Sequence, residues 1–199
     1  MTYVYMYRLS SDTGLAPCVE NEMLSLACCK GGQLRKDKPV HTGLRYWIGS
    51  MCNGVDYRCD TVYVLGTYKS KFLYLARITH VVSMEVYFQT IAKGRTDCIY
   101  SVSDGQLVRN HHLRKEGVHV DERQIKRDTA GEYVLLSDDY IYLGKDAVFN
   151  ELVDDKGARF RETKLYTGEI ADLIVAECQQ YRNCKAHTPH TPFRRKRGD

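Results

Sequence analysis

Apolar and polar positions alternate at the start of the chain, where Tyr3, Tyr5 and Tyr7 interleave with Val4 and Met6. A period of two with large side chains on both faces predicts a strand inside a sheet over residues 2–9. Residues 10–17 (SSDTGLAP) collect turn formers, and residues 23–30 (MLSLACCK) are apolar up to the adjacent Cys28 and Cys29, followed by Gly31, Gly32 and the basic Arg35, Lys36 and Lys38. Residues 44–50 (LRYWIGS) hold the only Trp, and residues 61–67 and 72–79 predict two further strands joined by a short basic loop around 69–71. Ser83 can cap a short helix from Met84 to about Ala92. Past a short strand at 98–102, a polar loop with His111 and His112 is long for a connector, which suits a lid or an arm facing nucleic acid. Residues 133–136 and 140–143 read as strands separated by Ser137, Asp138 and Asp139. With no Gly between them, a tight hairpin, a bulge and a bent strand all fit. Ile170, Leu173, Ile174, Cys178 and Tyr181 recur at helical spacing and predict a helix from Gly168 to about Tyr181.

Together these elements predict an α+β fold: a small mixed or antiparallel, barrel-like sheet with a few flanking helices. At 199 residues, 43% apolar and 27% charged, the chain suits one globular domain over 1–186. Residues 187–199 lack apolar periodicity and read as a disordered basic tail. Of the net charge of +4, Arg194, Arg195, Lys196 and Arg197 less Asp199 supply +3. The body is therefore no basic DNA clamp, whereas the tail can add salt-sensitive affinity for DNA or RNA. No run approaches the length of a membrane span, and the start lacks a secretory signal, so no membrane partner is expected and the predicted location is cytoplasmic. In that compartment the eight cysteines are expected as thiols.

His119 and Asp121 are two apart, so on an extended segment they face the same way and can share a metal, a water or a phosphate-binding Arg. A solvated strand end accounts for them as well, and a solvated turn accounts for Asp138 and Asp139. Asp12-Thr13-Gly14 invites comparison with aspartic proteases, but that chemistry needs two carboxylates sharing a proton and no second such triplet exists. Cys28 and Cys29 fit core packing, with a reactive thiol near the basic loop as the other reading. Cys178, Cys184, His187 and His190 depart from zinc-finger spacing, and Cys178 falls on the apolar helix face. The sequence therefore assigns no metal and no cofactor.

In order, DTGLAP at 12–17, LACCK at 26–30, WIG at 47–49, FLYLARIT at 72–79, DCIY at 97–100, HVDE at 119–122 and YVLLSDDYIYLGKDA at 133–147 resemble the second of the nucleotide modification associated domain families. The resemblance implies a phage or bacterial protein tied to systems that make, handle or recognise altered nucleotides. Arg45-Tyr46 departs from the Gly-Asp expected before Trp-Ile, and Asp97-Cys98 from a Gly-Asp-Asn-like stretch, which weakens a catalytic role for that loop. The strand succession from WIG to FLYLARIT also resembles the small barrel of PUA, ASCH and EVE domains. That likeness implies a base pocket with Trp47 and Tyr46 or Tyr74 as its aromatic wall. Asp12, Ser137 and Asp138 would accept from exocyclic amines or ring N–H groups, with Thr13, Lys30 and Tyr142 completing the ligand-binding set.

Two functions follow as expectations. The preferred one is a module that binds a modified base or nucleotide in a nucleotide-modification, defence or counter-defence system, since no Rossmann or nucleotide-cleaving fingerprint is present. The alternative is a nucleotide-directed hydrolase or transferase, with or without a metal, in which His119 is the base or ligand and Asp121 and Asp138 are its partners.

Overall fold

β1 (Thr2–Leu9) runs through the middle of a mixed sheet, as its two-faced apolar pattern predicts. The computed structural model describes residues 1–35, 38–40, 43–52, 61–110, 122–153, 163–184 and 188–190. After β1 come β2 (Cys18–Glu20), β3 (Met23–Leu26), a small hairpin of β4 (Gln33–Arg35) and β5 (Lys38–Val40), and helix α1 (Leu44–Cys52). β6 (Thr61–Tyr68), β7 (Lys71–Arg77) and β8 (His80–Ser83) lead to α2 (Met84–Val86), which continues as one π-helical turn over Tyr87–Ile91. The hairpin of β9 (Tyr100–Ser103) and β10 (Gln106–Arg109), then α3 (Glu122–Thr129), β11 (Tyr133–Ser137), β12 (Asp139–Tyr142), β13 (Thr163–Thr167) and α4 (Glu169–Gln179) complete the order.

The fold is α+β. One sheet has the order β12-β7-β6-β1-β13, antiparallel except for the parallel β1–β6 pair, and the other is β2-β3-β11-β8. Among the described residues these two sheets are open, β4–β5 and β9–β10 form separate two-stranded pairs, and the strands do not close into a barrel. β11 and β12 lie in different sheets, so the Ser137-Asp138-Asp139 stretch is a bend in one long strand and not a hairpin turn. Ser137 closes the bend, its hydroxyl donating to Asp139 O at 2.9 Å and accepting from Asp139 N–H at 3.2 Å.

The apolar side chains sort into three layers. Tyr5, Tyr7, Val62, Val64, Leu73 and Tyr74 meet Leu24, Leu26 and Leu135 of the second sheet in the central layer. Val4, Met6, Leu65 and Leu75 point the other way, onto Ala171, Ile174 and Cys178 of α4. Beyond the second sheet, Val134 and Leu136 pack on Met84, Tyr87, Phe88 and Tyr100. Ser83 caps the helix at 84–92 as expected, accepting from Val86 N–H at 3.1 Å.

Two readings change. Residues 44–52 form a helix and not the Trp-bearing strand of a small barrel: Leu44, Ile48 and Cys52 are four apart and all buried, so one helical face serves the central layer. In α4 the buried stripe is Ala171, Ile174 and Cys178, while Ile170 and Leu173 face outward.

A buried carboxylate–tyrosine group as the candidate functional site

β1 ends at Leu9, and the turn that follows turns Asp12 inward until none of it is exposed. Tyr142, at the end of β12, donates its hydroxyl to the carboxylate from 3.0 Å to each oxygen. The peptide N–H of His190 donates to Oδ2 at 2.7 Å. Burial raises the Asp12 pKa; the His190 N–H and the Tyr142 hydroxyl work against that rise. Burial, and then the Asp12 charge, push Tyr142 well above the ordinary phenol value, so it remains a donor at neutral pH.

Next to this pair lies a second one. Tyr74 Oη donates to Tyr7 Oη at 2.7 Å, with the rings edge to face at 6.2 Å. Both phenols are buried and pushed upward, chiefly by burial, with the Asp12 charge among the lesser causes. Gly66 makes room for this ring, since a Cβ there would overlap Tyr74. Lys30 Nζ stands 4.4 Å from the centre of the Tyr7 ring, a cation–π contact.

Lys30 is held there by a strut that the local sequence does not announce. Cys29 and Lys30 have φ of 61° and 50°, a left-handed stretch without glycine. The fully buried Arg45 guanidinium donates to Cys29 O at 2.8 Å, to Tyr133 O at 2.5 Å and to Asp128 O. The Asp128 carboxylate accepts from Cys29 N–H at 3.0 Å and from Tyr100 Oη at 2.7 Å. Asp97, the other departure from the expected motif, is also buried: it accepts from Ser25 and Tyr87 at 2.5 and 2.7 Å and lies 3.4 Å from Arg95. Both departures thus sit in buried supporting networks.

The structure brings together Asp12, Lys30, Tyr74 and Tyr142 of the expected set. Thr13 adjoins Asp12 and is half-buried. Ser137 is used up by the strand bend, and Asp138 is exposed, its N–H donating to Thr79 Oγ1 at 3.2 Å. Four extended residues from Tyr142, Asp138 is about 13 Å along the strand, too far to share one small ring with it. Trp47 is 43% exposed on the outer side of α1, outside the layer that holds Tyr74, and Tyr46 tilts against Tyr133. The expected aromatic wall of Trp47 with Tyr74 is therefore not assembled. His119 and Asp121, with the His111–His112 loop and the tail beyond His190, lie outside the described residues. Cys28 is buried and its thiol pKa is raised, first by its hydrogen bond with Cys29, so it lacks the thiolate character of a reactive cysteine.

Three participants were not anticipated. Tyr7 was legible only as one member of a tyrosine face. Tyr68 and His190, whose rings meet edge to face at 4.8 Å, have no local signal, because 122 positions of sequence separate them.

The α+β domain thus holds, beside the Tyr7–Tyr74 pair, a fully buried carboxylate, Asp12, that accepts from a tyrosine hydroxyl and a peptide N–H. The model of the family described as nucleotide modification associated domain 2 matches residues 1–191, and the chain belongs to that family. No curated protein and no solved structure matches it. Among the described residues no helix is long and apolar enough to cross a membrane.

Proposed function

We propose that this protein is a binding module for a modified base or nucleotide, acting in the cytoplasm of a bacterial or phage-infected cell within a nucleotide-modification, defence or counter-defence system. Family membership supports the general role, and one observation supports the site. The buried Asp12 carboxylate accepts an N–H at 2.7 Å from a segment that arrives from the far end of the chain and whose imidazole stands on Tyr68. An acceptor that takes an N–H donor beside an aromatic ring has the chemistry needed to read the N–H edge of a nucleobase. Tyr142 keeps the carboxylate oriented, Lys30 supplies positive charge towards a phosphate or an electron-rich substituent, and the tail adds contacts to nucleic-acid phosphates.

The test is thermal shift and native mass spectrometry of the full chain against free, cyclic and base-modified nucleotides. At least one should bind, and Asp12→Asn should weaken it by roughly tenfold or more through loss of a charge-assisted acceptor. Trp47→Ala should leave affinity unchanged. Failure of every nucleotide would remove the proposal. Product formation that disappears in His119→Ala would replace it with the hydrolase or transferase reading.

A further inference from the structure

Residues 188–190 are packed against the body of the domain by five separate contacts. His190 N–H donates to Asp12, and its ring meets Tyr68. Thr188 O accepts from Lys145 N–H at 3.0 Å. Pro189 rests on Gly14, and Thr188 O comes so close to Gly144 that any side chain there would overlap it. Gly144 has φ of 53°, a conformation other residues adopt only at a cost. Two loops, 12–14 and 144–145, are thus shaped around this short segment, and the family match runs through it to residue 191.

What the segment presents to the site is one N–H donor to a carboxylate and one planar nitrogen heterocycle against a tyrosine. Those are the two features by which a nucleobase would be held in the same place. With the segment seated, the Asp12 carboxylate is wholly enclosed, so a base cannot reach it while the segment stays.

We infer that residues 188–190 are an internal stand-in for the ligand: the domain rests closed by its own chain, and a base offering an N–H edge binds by displacing His190 from Asp12 and Tyr68. This rests on the base-binding reading of the Asp12 site and adds its regulation. Affinity measured on the intact chain is then lowered by the fraction of molecules in which the segment is seated. Whatever draws the segment away, including nucleic acid gathered by the basic residues that follow it, opens the site.

The experiment compares the full-length chain with full-length His190→Pro. Proline has no N–H, so its bond to Asp12 cannot form, and the imidazole is lost as well. Probes are the four common deoxynucleoside monophosphates and hydroxymethyl-deoxycytidine monophosphate, titrated by calorimetry, with amide hydrogen exchange read at Lys145 and His190. His190→Pro should bind the best probe roughly tenfold or more tightly, the scale of one charge-assisted hydrogen bond. In the unsubstituted chain, saturating probe should remove the protection of the Lys145 amide. His190→Ala keeps the N–H and loses only the ring, so it should gain less in the same direction, and it carries the test if the proline variant fails to fold. Equal or weaker binding by the variants, or Lys145 protection that survives saturation, makes the segment a wall of the site and overturns the inference while base binding stands. Absence of binding by any of the proteins removes the base-binding reading and the gate together.

Discussion

Asp12 lies in a stretch of turn formers and is nevertheless fully buried. Its sequence neighbours predict a turn, and a turn carboxylate is ordinarily solvated. Instead, strand β12 brings Tyr142 to it from 130 positions away. Burial raises its pKa, so the folded protein holds the Asp12 proton more tightly than the unfolded chain does. Its contribution to stability is therefore fully present below the ordinary carboxyl pKa and is lost as pH rises through the raised, folded-state value. Urea unfolding of the protein and of Asp12→Asn across acid and neutral pH should show the difference between them shift in that sense through this window. Parallel curves would mean that the carboxylate is solvated. Tyr142→Phe removes the donor that offsets burial and should cost about 1–3 kcal/mol at neutral pH, the usual range for a buried polar group that loses its partner.

At the scale of elements, pattern alone found β1, β6, β7, β9, β11 and β12 but not the shorter β2, β4, β5, β8 and β10 or the edge strand β13, and it misjudged what joins the strands it found. The turns at Asn21–Glu22, Lys69–Ser70 and Asp104–Gly105 each place two successive residues at positive φ, the twist that suits two-residue hairpins. Only Asp104-Gly105 carries the usual glycine signal; the other two rely on strand pairing to impose the conformation. α1 was hidden for a related reason. Tyr, Trp and Ile favour strands on propensity, and it is the buried Leu44, Ile48 and Cys52 stripe, with Arg45 inserted among three carbonyls, that makes the segment helical. Arg45→Ala should therefore cost at least about 3 kcal/mol, since it orphans several buried carbonyls at once. Arg45→Lys should not rescue it, because an ammonium cannot reproduce the planar fork. Denaturant midpoints of the two variants decide this; a loss within experimental error of zero for either one would contradict the strut.

For the whole molecule, the three apolar layers put α4, the mixed sheet, the second sheet and the helix at 84–92 in sequence, and the long bent strand formed by β11 and β12 ties the two sheets together. The basic run at 194–197 has no apolar face to add to any layer. Deleting residues 192–199 should leave the melting temperature nearly unchanged, yet reduce the slope of log affinity for DNA or RNA against log salt by about 0.7–0.9 for each phosphate contact removed. A large fall in melting temperature would give the tail a structural role. The sequence by itself determined the α+β class, the two-faced burial of β1, the capped helix after Ser83, the core position of Cys178 and the family, because each rests on periodicity, caps or ordered motifs written into neighbouring residues. Only the tertiary structure decided which polar groups meet. Asp12 with Tyr142 and His190, Lys30 over Tyr7, and Arg45 among its carbonyls are all pairings between distant segments, and a carboxylate's partners depend on which strands lie side by side, a matter no local pattern encodes.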